Sequence, residues 1–144
     1  MKQLILLFLT LSITSFAGVQ ETYKQEQTKQ NKMRTSLLNE HKDNNEELKA
    51  VNSQLSELHI KIFAIIDSAH PEFASLAKSQ KWTEFNKYTK ELIKSNKEFV
   101  ALWKQREDGY QQQLLILAKL SPAFEQQMAL TRKAKLATHK KVQI

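Results

Sequence analysis

The chain has 144 residues, with 22 Lys and Arg against 15 Asp and Glu for a formal charge of +7, no Cys, two Gly and two Pro. That length fits one domain. The missing Cys excludes disulfides, thiolate metal sites, thiol nucleophiles and a lipid-attachment Cys, and so few turn residues leave little room for hairpins or sheets. Lys, Glu, Gln, Leu and Ala dominate, and the expected fold is all-α.

The first residues read as an address. Met1-Lys2-Gln3 is a short positive start, residues 4–13 are an apolar run, and Ser15 and Ala17 are the small side chains a signal peptidase needs. Residues 1–17 are therefore expected to be a cleavable signal peptide, cut between Ala17 and Gly18. The apolar run is well short of the roughly 20 residues that span a bilayer, and no later segment is apolar enough to do so. The mature protein is expected in the bacterial periplasm or secreted, with no transmembrane segment after cleavage.

Charge is unevenly placed. Beyond Ala17 the chain carries +6, and Arg132, Lys133, Lys135, Lys140 and Lys141 supply +5 of it with no acid among them. Residues 18–131 are thus near neutral at +1, and residues 132–144 form a basic C-terminal tail.

Residues 18–47 are a polar helical arm in which Tyr23, Met33, Leu37 and Leu38 are almost the only large apolar groups. Thr22 followed by Gln25 fits a capping box. Such a helix is marginal without a partner, so the arm is expected to be either a solvated extension of the next helix or frayed. The next stretch is unambiguous. Leu48, Val51, Leu55, Leu58, Ile62 and Ile65 recur at 3-4-3-4-3, one seam of an α-helix at the coiled-coil period. Asp67-Ser68-Ala69-His70-Pro71 breaks the helix, with His70 expected to cap the break, and a short helix follows from Pro71.

A second long helix is expected from Trp82 to Leu120, carrying Phe85, Tyr88, Leu92, Phe99, Trp103, Tyr110, Leu114 and Leu117 on one face. Gly109 interrupts it at about 1 kcal/mol relative to Ala, and Asn96 and Arg106 leave the face partly wet. Ser121-Pro122 ends it as an N-cap and first helical residue. Pro71 and Phe73 recur at the same offset as Pro122 and Phe124, which reads as two similar helix stops, with a duplicated unit as the alternative. The hairpin core, residues 48–131, is expected to be an elongated antiparallel pair of long helices with coiled-coil-like packing and one or two short closing helices.

Chemistry is sparse. His41, His59, His70 and His139 have no ligand-type partner at i+3 or i+4, so no metal or other cofactor is expected. His59 reads as a flank of the seam. Glu84, Glu91 and Glu98 recur every seven residues, with Lys87 and Lys94 three beyond the first two, as an ionic helix flank does. No phosphate loop or nucleophile elbow is present, and the protein is expected not to be an enzyme.

Trp82, Phe85, Tyr88, Trp103 and Tyr110 are either core bulk, with polar edges kept wet, or a groove for apolar segments of a partner or client. Arg132, Lys133, Lys135, Lys140 and Lys141 are the second candidate binding set, for an anionic envelope surface or an acidic client; nucleic acid is not expected of an exported protein. The chain shares size, helicity, basic charge and the lack of Cys with small exported helical chaperones. It does not meet the Leu-Thr-x-x-Gln pattern of the cradle-shaped periplasmic kind, because Leu130-Thr131 is followed by Ala134 where Gln is needed. The expected function is a non-enzymatic, chaperone-like binding protein of the cell envelope. The alternative is a coiled-coil spacer or assembly subunit, homodimeric through Leu48, Val51, Leu55, Leu58, Ile62 and Ile65. A weaker one is a periplasmic inhibitor or immunity protein.

Overall fold

The computed structural model describes the backbone of residues 2–142 and the side chains of residues 18–139 other than Lys78. Residues 1–17, expected to be a signal peptide, and the tail residues Lys140 and Lys141 therefore have side chains outside the described residues. The elements run α1 Lys2–His41, α2 Glu46–Ala69, a 3-10 turn Pro71–Ser75, α3 Lys78–Ser95, α4 Lys97–Leu120 and α5 Pro122–Val142. The fold is all-α, with no strand among the described residues.

The expected helix along the 48–65 seam is present as α2, and the polar arm does not extend it. Residues 42–45 separate the two, where Asn45 leaves helical geometry and its side-chain oxygen accepts the Leu48 N–H at 2.8 Å. The expected second long helix is broken at Asn96, whose side chain does the same for the Phe99 N–H at 2.9 Å. An Asn in this position offers an unpaired helix donor an acceptor, and so starts a new helix inside a helix-forming run. Ser121 caps α5 likewise, its Oγ taking the Phe124 N–H at 3.3 Å. Thr22 starts nothing: it lies inside α1 and its hydroxyl donates back to the Gly18 carbonyl at 2.9 Å.

The chain divides into two compact units, one of α1 with the chain from Ile116 onward, the other of residues 43–115. In the first, α1 packs along α5. The arm, expected to be solvated or frayed, is thus a packed helix. Tyr23, Glu26, Gln30, Met33 and Leu37 lie partly buried at helical spacing. Gln127, 9% exposed, donates to both the Glu26 carbonyl at 3.2 Å and its carboxylate at 2.7 Å, and the buried Thr131 hydroxyl reaches the same carbonyl at 3.2 Å. The Gln127 bond, followed by the amine of Lys29, holds the Glu26 carboxyl below its usual pKa. Ile116, Leu117 and Phe124 are buried in this unit. Arg132, Lys133 and Lys135 belong to α5 itself and are exposed.

In the second unit the 3-4 seam of α2 is the core. Leu48, Val51, Leu55, Leu58 and Ile62 are 0–4% exposed within the single chain, Ile66 is fully buried and Ile65 half-buried. The seam proposed for pairing between copies is thus largely covered within the single chain. Helix α4 crosses α2 antiparallel, as the bonds Gln113 to Asn52 (2.6 Å) and Arg106 to His59 (3.2 Å) show. Gly109 lies against Leu55 at this crossing, where a Cβ would sit 2.9 Å from the leucine Cδ2. The rest of the core gathers Ile62, Ile66, Phe73, Phe85, Tyr88, Leu92 and Phe99.

Candidate functional site: an aromatic trough

Helical spacing gathers the site from three helices and the turn. On α2, His59, Ile62 and Phe63 share a face; on α3, Lys81, Trp82 and Phe85 do; on α4, Arg106 and Tyr110 lie one turn apart. The turn after Pro71 delivers Phe73. Together they line a cleft of about 460 Å³. Phe73 and Phe85 form its floor and are 4% and 7% exposed, whereas Phe63 and Trp82 form its rim and are 40% and 69% exposed. The cleft is therefore a trough open to solvent rather than an enclosed cavity. The rings contact in sequence: Phe63 lies 6.0 Å from Phe73 and 5.3 Å from Phe85, and Trp82 stacks on Phe85 at 5.8 Å and 14°.

Its polar side is built around Arg106. The guanidinium lies 4.4 Å from the Trp103 ring centre and 4.8 Å from that of Tyr110, a cation held between two π faces. Its Nε donates to His59 Nε2, and its Nη1 to Glu107 at 2.8 Å. The Tyr110 hydroxyl is 3.1 Å from the same His59 nitrogen. Burial, and then the Arg106 charge, lower the His59 pKa, so the imidazole is neutral at pH 7 and its Nε2 lone pair is the acceptor. The second cation is Lys81, whose amine donates to the Ala74 carbonyl at 3.2 Å.

A different cluster flanks Tyr88. His70 caps the Pro71 break through its backbone, its N–H bonding the Ile66 carbonyl at 2.8 Å, while its side chain makes no capping bond and its ring stacks flat on Tyr88 with centres 3.7 Å apart. The Tyr88 hydroxyl donates to Glu72 at 2.7 Å, which holds the Glu72 carboxyl below its usual value and, with burial, pushes the phenol up to about 12. His70 also lies 3.5 Å from Glu72 and 3.6 Å from Glu91. Among the described residues no group of three His, Asp or Glu side chains could hold a metal ion.

Of the aromatic candidates, Trp82, Phe85 and Tyr110 line the trough, Trp103 lies beneath Arg106, and Tyr88 is core. Arg132, Lys133 and Lys135 belong to the other compact unit. Sequence reasoning missed His59, Phe63, Phe73, Lys81 and Arg106 as site residues. Arg106 gave a signal, as a charge beside the aromatic stripe. A larger depression of about 670 Å³ holds Lys61, Ser68, Asn96 and Glu98 with small or aliphatic side chains; without an aromatic anchor it is the weaker candidate. No helix among the described residues is long and apolar enough to cross a membrane. No protein-family model, curated protein or solved structure matches the chain.

Proposed function

We propose that the protein is an exported, non-enzymatic binding protein of the bacterial cell envelope that holds apolar segments of partner or client proteins, in the manner of a chaperone. The observation that carries this reading is the trough: Trp82 and Phe63 stay exposed beside a buried aromatic floor. Large apolar groups left in water around a concave surface are the usual mark of a binding site. The leader-like residues 1–17 support export, and the exposed cations of α5 supply a salt-sensitive attraction to anionic surfaces or acidic clients. The spacer alternative loses its main support, because the seam it would pair through lies inside one chain.

Tryptophan emission tests this directly. Trp103 is half-buried and Trp82 exposed, so occupancy of the trough shifts mainly the Trp82 signal. Titrating the protein with a permanently unfolded, Trp-free client should blue-shift emission saturably. Trp82→Ala should weaken binding about tenfold, as loss of an aromatic anchor does. A client that binds with no change in Trp emission, and equally to Trp82→Ala, would place the binding surface elsewhere.

A further inference from the structure

We infer that the segment held in the trough is acidic: a partner peptide in which a large apolar side chain is flanked by a carboxylate. This rests on the binding reading above and specifies its ligand. The compact unit that contains the trough carries ten Lys and Arg against eleven Asp and Glu, and so is slightly negative. Yet the trough is lined by two permanent cations, Lys81 and Arg106, and by no Asp or Glu among the described residues. The cleft where Phe63 and Trp82 are exposed thus presents positive charge alone.

The two cations differ in a way that suits one carboxylate. Arg106 is fixed from below by Trp103 and Tyr110 and from the side by His59, so its planar fork is preorganised and little side-chain entropy is lost on binding. Glu107 engages Nη1 but does not line the trough. Nε is taken by the neutral His59, which adds no negative charge to compete with a ligand. Lys81 is a point charge on a flexible stem; its amine donates to the Ala74 carbonyl and lies 5.9 Å from the Phe73 ring centre, and neither contact brings a negative charge. An apolar side chain on the Phe73 and Phe85 floor thus has a cation within the same cleft for an adjacent carboxylate. A free small aromatic acid fits less well, because ligand sites for small molecules bury most of the ligand surface and this trough is open along Trp82 and Phe63. A longer chain needs only its side chains buried.

The test uses the full chain and three Trp-free peptides that differ only beside a shared Phe-Leu anchor: Glu, Gln or Lys. Binding is read by Trp82 emission at low and at high salt. The Glu peptide should bind about tenfold tighter than the Gln peptide at low salt and the Lys peptide weakest, with the spread shrinking as salt rises. Lys81→Gln and Arg106→Gln should each bring the affinities of the Glu and Gln peptides closer together. Because Arg106 also packs on two rings, Lys81→Gln is the variant that keeps the test valid if Arg106→Gln unfolds. Equal affinity for all three peptides would overturn the acidic preference and leave the trough as an apolar site. Failure of all three to bind would overturn the trough reading with it. N-acetyl-phenylalanine binding as tightly as the Glu peptide would overturn the peptide as the ligand.

Discussion

Helices α2 and α4 are the instructive pair. Each has 24 residues, each is opened by an Asn side chain that takes the N–H three residues on, and each is followed two residues past its end by a proline. Their boundaries are the same, and their stripes are not. Laid on each other at that common offset, Leu55 matches Arg106, Leu58 matches Gly109, His59 matches Tyr110 and Ile62 matches Gln113. Helix α2 contributes dry aliphatic surface; α4 contributes a cation, a gap and amide or phenol groups. Short local signals decide where a helix starts and stops, whereas the stripe between them decides whether the helix makes core or makes a site. One pair of similar helices thus supplies both an aliphatic core seam and the Arg106 side of the trough.

The largest test of this contrast is to truncate matched positions. Ile62 is 1% exposed in the aromatic core and Gln113 is 3% exposed and bonded to Asn52. Ile62→Ala should cost about 2–5 kcal/mol, a transfer loss plus a cavity. Gln113→Ala should cost less, about 1–3 kcal/mol, since it breaks a buried polar contact. Urea unfolding midpoints of the two variants would decide, and equal losses would mean that α4 is as much an aliphatic packing helix as α2.

Next in size is the gap. A side chain at Gly109 must push on Leu55, itself buried. Gly109→Leu should destabilise by about 1–3 kcal/mol through overpacking. In Gly109→Ala the gain in helix propensity, about 1 kcal/mol, is offset by moving the end of one leucine, so that variant should stay within about 1 kcal/mol of the parent. Thermal melting of both variants separates the two terms. If Gly109→Leu melts with the parent, the crossing of α2 and α4 is looser than the contact with Leu55 implies.

How much of this was legible in the sequence follows from where each signal resides. The α2 seam was readable because its aliphatic residues repeat at one period and nearly all are buried. The break at residues 42–45 carried a signal that went unread, Asp43-Asn44-Asn45 followed by Glu46-Glu47, a capping residue before an acidic first turn. The break at Asn96 was less legible, because it falls within one apolar face that continues on both sides of it. Asn96 in particular looks like a polar spot on a helix face until its side chain is seen bonding the Phe99 N–H. The trough was half legible: Trp82, Phe85 and Tyr110 lie on one predicted face. His59 was misread as a flank because its partners Arg106 and Tyr110 are 47 and 51 residues away, and no local spacing carries that information. The polar arm was misread because its partner, α5, lies about a hundred residues on and bonds to it through Glu26 rather than through an aliphatic stripe.

The matched caps give a smaller effect. Asn45→Ala and Asn96→Ala should each cost about 1 kcal/mol, the usual loss of an N-cap acceptor, in chemical denaturation. Replacing either Asn by Asp or Ser should restore most of it. A loss confined to Asn45→Ala would mean that α3 and α4 can run on as one helix without strain.

The smallest effect concerns the one matched pair in direct contact, His59 and Tyr110. His59 has its pKa lowered in the folded protein by burial and by Arg106, so below about pH 6.5 the unfolded chain takes up a proton that the folded chain resists. Stability should therefore fall as pH drops from about 6.5 toward the lowered folded value, and be unaffected by this group above 6.5. The groups facing the imidazole from α4 are the Arg106 guanidinium and the Tyr110 hydroxyl. Neither changes charge in that window, which leaves His59 as the titrating member. His59→Gln keeps an acceptor for Arg106 and cannot charge. Urea midpoints of parent and variant, followed from pH 7.5 to pH 5, should diverge as the parent loses stability faster on the acid side. Parallel curves would mean that Arg106 is held by its two aromatic faces alone. The imidazole would then be a spectator at the crossing, and the charged wall of the trough would owe its position to Trp103 and Tyr110.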